Sequence, residues 1–141
     1  MTALVLFLAT PALAAEPDFP LLLSDSGWED VGTRSHDDIG TVDIKLKKID
    51  GAPCLMGTVA AEVDADVLYD VVSDIPSAMA WSTAGLTKSK VLGRSGATVD
   101  YLQFLNVPNW TMASDRFWVL RGKDASESGT RAFRWWKFDA E

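Results

Sequence analysis

Between Thr41 and Ile49 the residues alternate strictly in character. Val42, Ile44 and Leu46 fall on one side of an extended chain, and Asp43, Lys45 and Lys47 on the other. A period of two does not fit a helix; it demands a strand with one buried face. Asp50-Gly51 follows directly. Both positions tolerate the positive φ of a type I′ turn, so the chain doubles back into a hairpin. Leu55 to Val63 is the returning strand. Its Gly57, Ala60 and Ala61 carry little bulk, which predicts a close approach to that part of the sheet. Trp28 to Arg34, after Gly27, reads as a first strand ahead of the hairpin.

Asp64 stands where a helix N-cap belongs, and Asp66 favours the positive helix end. Val67, Leu68, Val71 and Val72 make the apolar stripe of that helix. Asp74 ends it, and Ile75-Pro76 starts a second short turn that delivers Met79 and Trp81. Strands then resume over Thr87 to Leu92, Thr98 to Val107, Ser114 to Arg121 and Thr130 to Phe138. Between them lie a turn at Ser95-Gly96, a loop at Pro108-Asn109 and a polar turn from Asp124 to Gly129. Sequential hairpins with one helical segment imply an α+β domain built on an antiparallel sheet.

The chain has 141 residues, 48% of them hydrophobic, enough for the core of one domain. A net charge of −7 argues against a nucleic-acid partner, whose phosphates call for basic stripes. The charge is uneven, because all bases beyond Lys48 lie from Lys88 onward. That half either faces anionic headgroups in transient membrane contact or carries the charge that keeps strands soluble. Cys54 is the only cysteine, so no intrachain disulfide is possible. It reads as a small core residue; a catalytic thiol would need His36, the only histidine, as its base. No nucleophile motif, metal cluster or phosphate loop stands out, so neither a cofactor nor a metal is expected.

Ala3 to Ala14 is apolar, and Ala12-Leu13-Ala14 fits the small-x-small pattern of a signal-peptidase site. At ~1.5 Å per residue, a dozen residues fall short of a ~30 Å hydrocarbon core. Residues 1–14 therefore read as a signal peptide and 15–26 as a tether, with export to a periplasm or to the exterior if the signal is cleaved and a cytoplasmic protein if it is not. No Lys or Arg precedes the apolar run. A hydrophobic N-terminal helix docked on the domain is the other reading.

From Gly27-Trp28-Glu29 onward the chain resembles the START (StAR-related lipid-transfer) domain, of the Bet v 1-like helix-grip superfamily. The resemblance rests on that opening, on Thr58-Val59 and on the segment Ala65 to Asp74 followed by Trp81. Val91-Leu92, Val99-Asp100-Tyr101 and Ser114 to Arg121 complete it. Asp115-Arg116 reverses the family's usual Arg-Asp order, and Ser82 replaces an acid often found after the Trp. The resemblance implies a helix-grip fold, a curved antiparallel sheet around a short helical segment after the third strand. Residues 27–141 would be the N-terminal two thirds of such a domain, without the family's C-terminal lid helix. The chain is then either part of a longer protein or a domain that is naturally incomplete.

The resemblance also implies non-enzymatic binding, and transfer, of a lipid or other hydrophobic small molecule in a sheet-walled cavity. Strand alternation places Val99, Tyr101, Gln103 and Leu105 on one face, Arg116, Trp118 and Leu120 on another, and Phe133 with Trp135 on a third. The candidate lining is Trp81, Tyr101, Gln103, Trp118, Leu120 and Trp135, with Tyr101, Gln103 and Arg116 as polar anchors and Arg121 competing with Arg116. The alternatives are a cyclase- or aromatase-like enzyme of the same superfamily, which would need a proton-transfer residue in the cavity, and a secreted interaction module with a filled core.

Overall fold

The computed structural model describes residues 2–9, 19–107 and 114–137, with side chains from residue 19 onward. Its strands are β1 (Thr2–Ala9), β2 (Glu29–His36), β3 (Gly40–Ile49), β4 (Ala52–Ala61), β5 (Leu86–Ser95), β6 (Thr98–Leu105), β7 (Arg116–Asp124) and β8 (Phe133–Lys137). The helices α1 (Phe19–Leu23), α2 (Ala65–Ser73) and α3 (Ala78–Trp81) are short, and a 3-10 turn at Ile75–Ser77 joins the last two. Every strand pair is antiparallel. The α+β class expected from the hairpin pattern is the one observed. The strands do not form one sheet, however. They fall into two four-stranded sheets, β1-β4-β3-β2 and β5-β6-β7-β8, and the chain divides into two compact units near Asp64. No helix among the described residues is long and apolar enough to cross a membrane. The expected loop at Pro108-Asn109 lies outside the described residues.

In the first unit the Asp50-Gly51 turn closes β3 onto β4 as its residue types require, with φ of 49° and 82°. The segment expected as a signal peptide contains β1, which pairs along β4 from Thr2↔Ala61 to Ala9↔Cys54. It is a strand and not a docked helix. Gly57 does mark a close approach, but from within the sheet, because a Cβ there would stand 3.3 Å from Val42 Cγ1. The first strand starts and ends later than expected, at Glu29 and His36.

The expected polar face of β3 holds the larger surprise. Lys47 is only 9% exposed, whereas Leu55 on the apolar face is 41% exposed. The reason is α1, which lies over the polar face. Lys47 Nζ donates to the carbonyls of Leu21 (2.6 Å) and Ser24 (3.3 Å) and sits 5.4 Å from the centre of the Trp28 ring. Trp28 Nε1 donates to the same Ser24 carbonyl at 3.0 Å. Gly27, at φ 80°, turns the chain between them, and a Cβ there would meet Lys47 Cε at 3.5 Å. The long lysine stem thus serves as core and its head group caps the end of α1. Cys54, opposite Lys47 in register, is buried beside it, as expected for a small core residue. His36 is exposed and pairs with Gly40, seven residues up β3 from Lys47, or about 23 Å along the strand. That separation excludes a Cys-His pair.

In the second unit α2 begins after Asp64, as the cap pattern predicts, but only half of the predicted stripe turns inward: Leu68 and Val72 are half-buried. Val67 is 56% exposed and Val71 is exposed as well. The contact with the sheet runs through Tyr69, whose ring meets Phe133 edge-on at 6.5 Å, and through the ion pair of Asp66 with Arg131. These residues lie three apart on one helix face, and the large ring makes the sheet contact while Val67 and Val71 face outward. The Ser95-Gly96 turn is shifted one residue, to Gly96-Ala97.

Replacing Lys47 with Met keeps the stem against Trp28 and removes both carbonyl contacts. It should lower stability by about 1–2 kcal/mol, with Lys47→Ala costing more. Denaturant titration of the two variants measures this, and two midpoints equal to the parent's would exclude the anchoring role.

Candidate functional site

The register of the second sheet decides which expected ligand residues meet. Val99 pairs with Gly122, Tyr101 with Leu120, Gln103 with Trp118 and Leu105 with Arg116. Across β8, Gly122 pairs with Trp135 and Asp124 with Phe133. Val91 and Ser89 of β5 stand opposite Tyr101 and Gln103. Paired residues share a face, so the three groups expected separately form one continuous surface. It carries Tyr101, Gln103, Arg116, Trp118, Leu120 and Trp135.

One end of this surface is core. Tyr101, Val99 and Ile75 are buried together, with Tyr101 only 3% exposed, and Val91, Leu120, Phe133 and Trp135 pack against them. Burial pushes the Tyr101 hydroxyl well above the ordinary tyrosine pKa, since its anion is poorly solvated there. Gly122 makes this packing possible. A Cβ there would fall within 3.0 Å of Phe133 Cε1 and 3.2 Å of Val99 Cγ1. Ile75 is held over the sheet by its carbonyl, which accepts a 2.6 Å hydrogen bond from Ser89 Oγ. Gln103 Nε2 donates in turn to Ser89 Oγ at 3.4 Å. The polar anchor expected at Gln103 is therefore bonded to the sheet's own Ser89. Toward the other end, Gln103, Trp118 and Leu105 are half-buried and Arg116 is exposed.

Two candidates stand elsewhere. Trp81 ends α3 with 48% of its surface exposed, so it is not a core residue. Arg121 lies on the opposite face of β7, opposite Asp100 in register, and is not an alternative to Arg116 on the Tyr101 face. Its Nε and Nη2 donate to the two carboxylate oxygens of Asp100 at 2.7 and 2.8 Å. This fork holds the Asp100 carboxyl below its ordinary value, through the hydrogen bonds first. The reversed Asp115-Arg116 pair also has a local role. Asp115 Oδ1 accepts the Val107 backbone N–H at 2.9 Å.

Sequence reasoning missed a half-open cleft of about 440 Å³ between α2 and the β5–β6 turn. Tyr69, Asp70, Asp74, Arg94, Asp124 and Phe133 line it, and none of the residues expected to hold a ligand does. Tyr69 titrates above its ordinary value because it is partly desolvated and faces Asp124. Asp124 is held low by hydrogen bonds from Ser126. The acids at the end of α2 were visible in the sequence, but only the fold brings them to Arg94 and Asp124. Among the described residues no group of His, Cys, Asp and Glu is arranged to hold a metal ion. Compared with known proteins, the chain matches no family model and no curated protein.

The Asp100–Arg121 fork makes stability depend on acid pH with a defined sign. The carboxyl's folded pKa is depressed, so its stabilising contribution is complete above about pH 4. It is lost as the pH falls through the lowered value. Asp100→Asn should therefore melt lower than the parent at neutral pH and show a shallower decline from pH 4 downward. Melting temperature against pH measures this, and parallel acid limbs would rule out the fork as a source of acid sensitivity.

Proposed function

We propose that the Tyr101 face of the second sheet binds a lipid or other hydrophobic small molecule without catalysing a reaction, in a helix-grip arrangement of the START type. The supporting observation is the register that unites Tyr101, Gln103, Trp118, Leu120 and Trp135 on one face, with Arg116 at its open end. Such a surface has the composition of a hydrophobic-ligand site, with indole and aliphatic walls and a few polar groups to orient the guest. Its Tyr101 end is closed by Ile75. The ligand therefore belongs over Gln103, Trp118 and Leu105, where the side chains are half-buried. Arg116 then offers a guanidinium to a polar head at the exposed edge. Tyr101 acts as the floor of the site rather than as a hydrogen-bonding anchor.

The purified chain should yield a roughly equimolar lipid on organic-solvent extraction, or take one up from vesicles. Trp118→Ala should lower that uptake about tenfold, the cost of losing a large part of one indole's buried area. An empty extract after lipid exposure would instead mark the face as the filled core of an interaction module. Unchanged Trp118 and Trp135 fluorescence with and without lipid would also exclude this face as the site.

We also propose export, on the Ala12-Leu13-Ala14 pattern. Cleavage after Ala14 removes β1 and leaves β4 as an edge strand. The intact mass of protein recovered outside the cytoplasm tests this; a mass retaining residues 1–14 excludes cleavage there.

A further inference from the structure

The reverse face of the second sheet carries the opposite chemistry, and neither the ligand reading nor the cleft uses it. Register places Lys88, Phe104 and Phe117 in one cross-strand row, and Lys90, Leu102 and Val119 in the next. The following rows bring Asp100 against Arg121 and Lys123 against Arg134. Among the described residues of these rows Asp100 is the acid, and it is engaged by Arg121. Lys88, Lys90 and Lys123 are exposed, and Phe117 is 67% exposed beside the half-buried Phe104. A chain of net charge −7 thus concentrates cations on one sheet face and sets bare aromatic surface among them.

We propose that this face docks on an anionic lipid bilayer. Lysines alone would fit any polyanion, and a solvated strand face needs no exposed phenylalanine. The combination fits an interface in which ammonium groups meet lipid phosphates and carboxylates while Phe117 enters the boundary between headgroups and acyl chains. Four strands give the face a width of about 14 Å, room for several lipid headgroups. A nucleic acid would instead be held almost wholly through its phosphates and would repel a chain this acidic. The proposal needs no cavity. Vesicle binding by protein that yields no extractable lipid would support it even as the ligand reading failed.

The test is co-sedimentation of the full chain with phosphatidylcholine vesicles, with and without about 30 mol % phosphatidylserine. Binding should be at least about tenfold tighter with the anionic lipid and should collapse when salt is raised well above physiological strength. Lys88→Gln with Lys90→Gln should weaken it about 25-fold, or about fivefold per lysine. The Lys88→Arg, Lys90→Arg pair should keep it, and so controls for folding. Phe117→Ala should weaken binding even in high-charge vesicles, whereas Lys48→Gln, in the other sheet, should change nothing. Equal binding to neutral vesicles, no binding at all, or indifference to the lysine pair would overturn the proposal. So would equally tight, lysine-dependent binding to duplex DNA.

Discussion

The second unit is organised around the burial of Tyr101. Its ring lies on the central strand pair β6–β7, between Val91 and Leu120 in register and under Ile75. Filling that position fixes the register, because a slip of one residue would exchange Tyr101 for Asp100 and bring a carboxylate into the core. Everything nearby follows. Gly122 must lack a side chain so that Phe133 can lie against Val99. Ser89 must reach the Ile75 carbonyl to hold the 3-10 turn over the sheet. Tyr69 then meets Phe133 and seats α2. The same alternation that buries Tyr101 sends Asp100 and Arg121 to the other side, where they satisfy each other.

The first unit solves a different problem with one side chain. Its helix α1 is only a turn and a half long and cannot hold itself together in water. Lys47 supplies what is missing. Its stem replaces apolar core, and its head group takes up the carbonyls that the helix end leaves free. Trp28 adds a second donor and a ring face. A hydrocarbon side chain at position 47 could keep the packing of the stem but would lose the Nζ hydrogen bonds to the Leu21 and Ser24 carbonyls.

The two faces of the second sheet divide the chemistry between them. One is mostly aliphatic and aromatic, with Gln103 bonded to Ser89 and Arg116 at its exposed end. The other is cationic, with exposed aromatic surface. A two-sided antiparallel sheet allows this because successive residues point oppositely, so one strand such as Phe117-Trp118-Val119-Leu120-Arg121 serves both faces at once. A carrier that takes up a lipid on one face and rests on a bilayer with the other would need such a partition. The acidic cleft beside α2 belongs to neither.

Alternation and turn chemistry determined much of this protein from sequence alone. The strand at Thr41–Ile49, the Asp50-Gly51 reversal, the helix after Asp64 and the sharing of a face by Tyr101 and Gln103 all follow from local stereochemistry, which nearest neighbours in the chain dictate. The tertiary structure decided what touches what. It turned Val67 and Val71 of α2 outward in favour of Tyr69, buried Lys47 on the nominally polar face, paired Arg121 with Asp100 and split the strands between two sheets. These outcomes depend on inter-strand register and on which distant element covers a face. The energy that selects them comes from contacts between residues far apart in sequence, which no local pattern encodes.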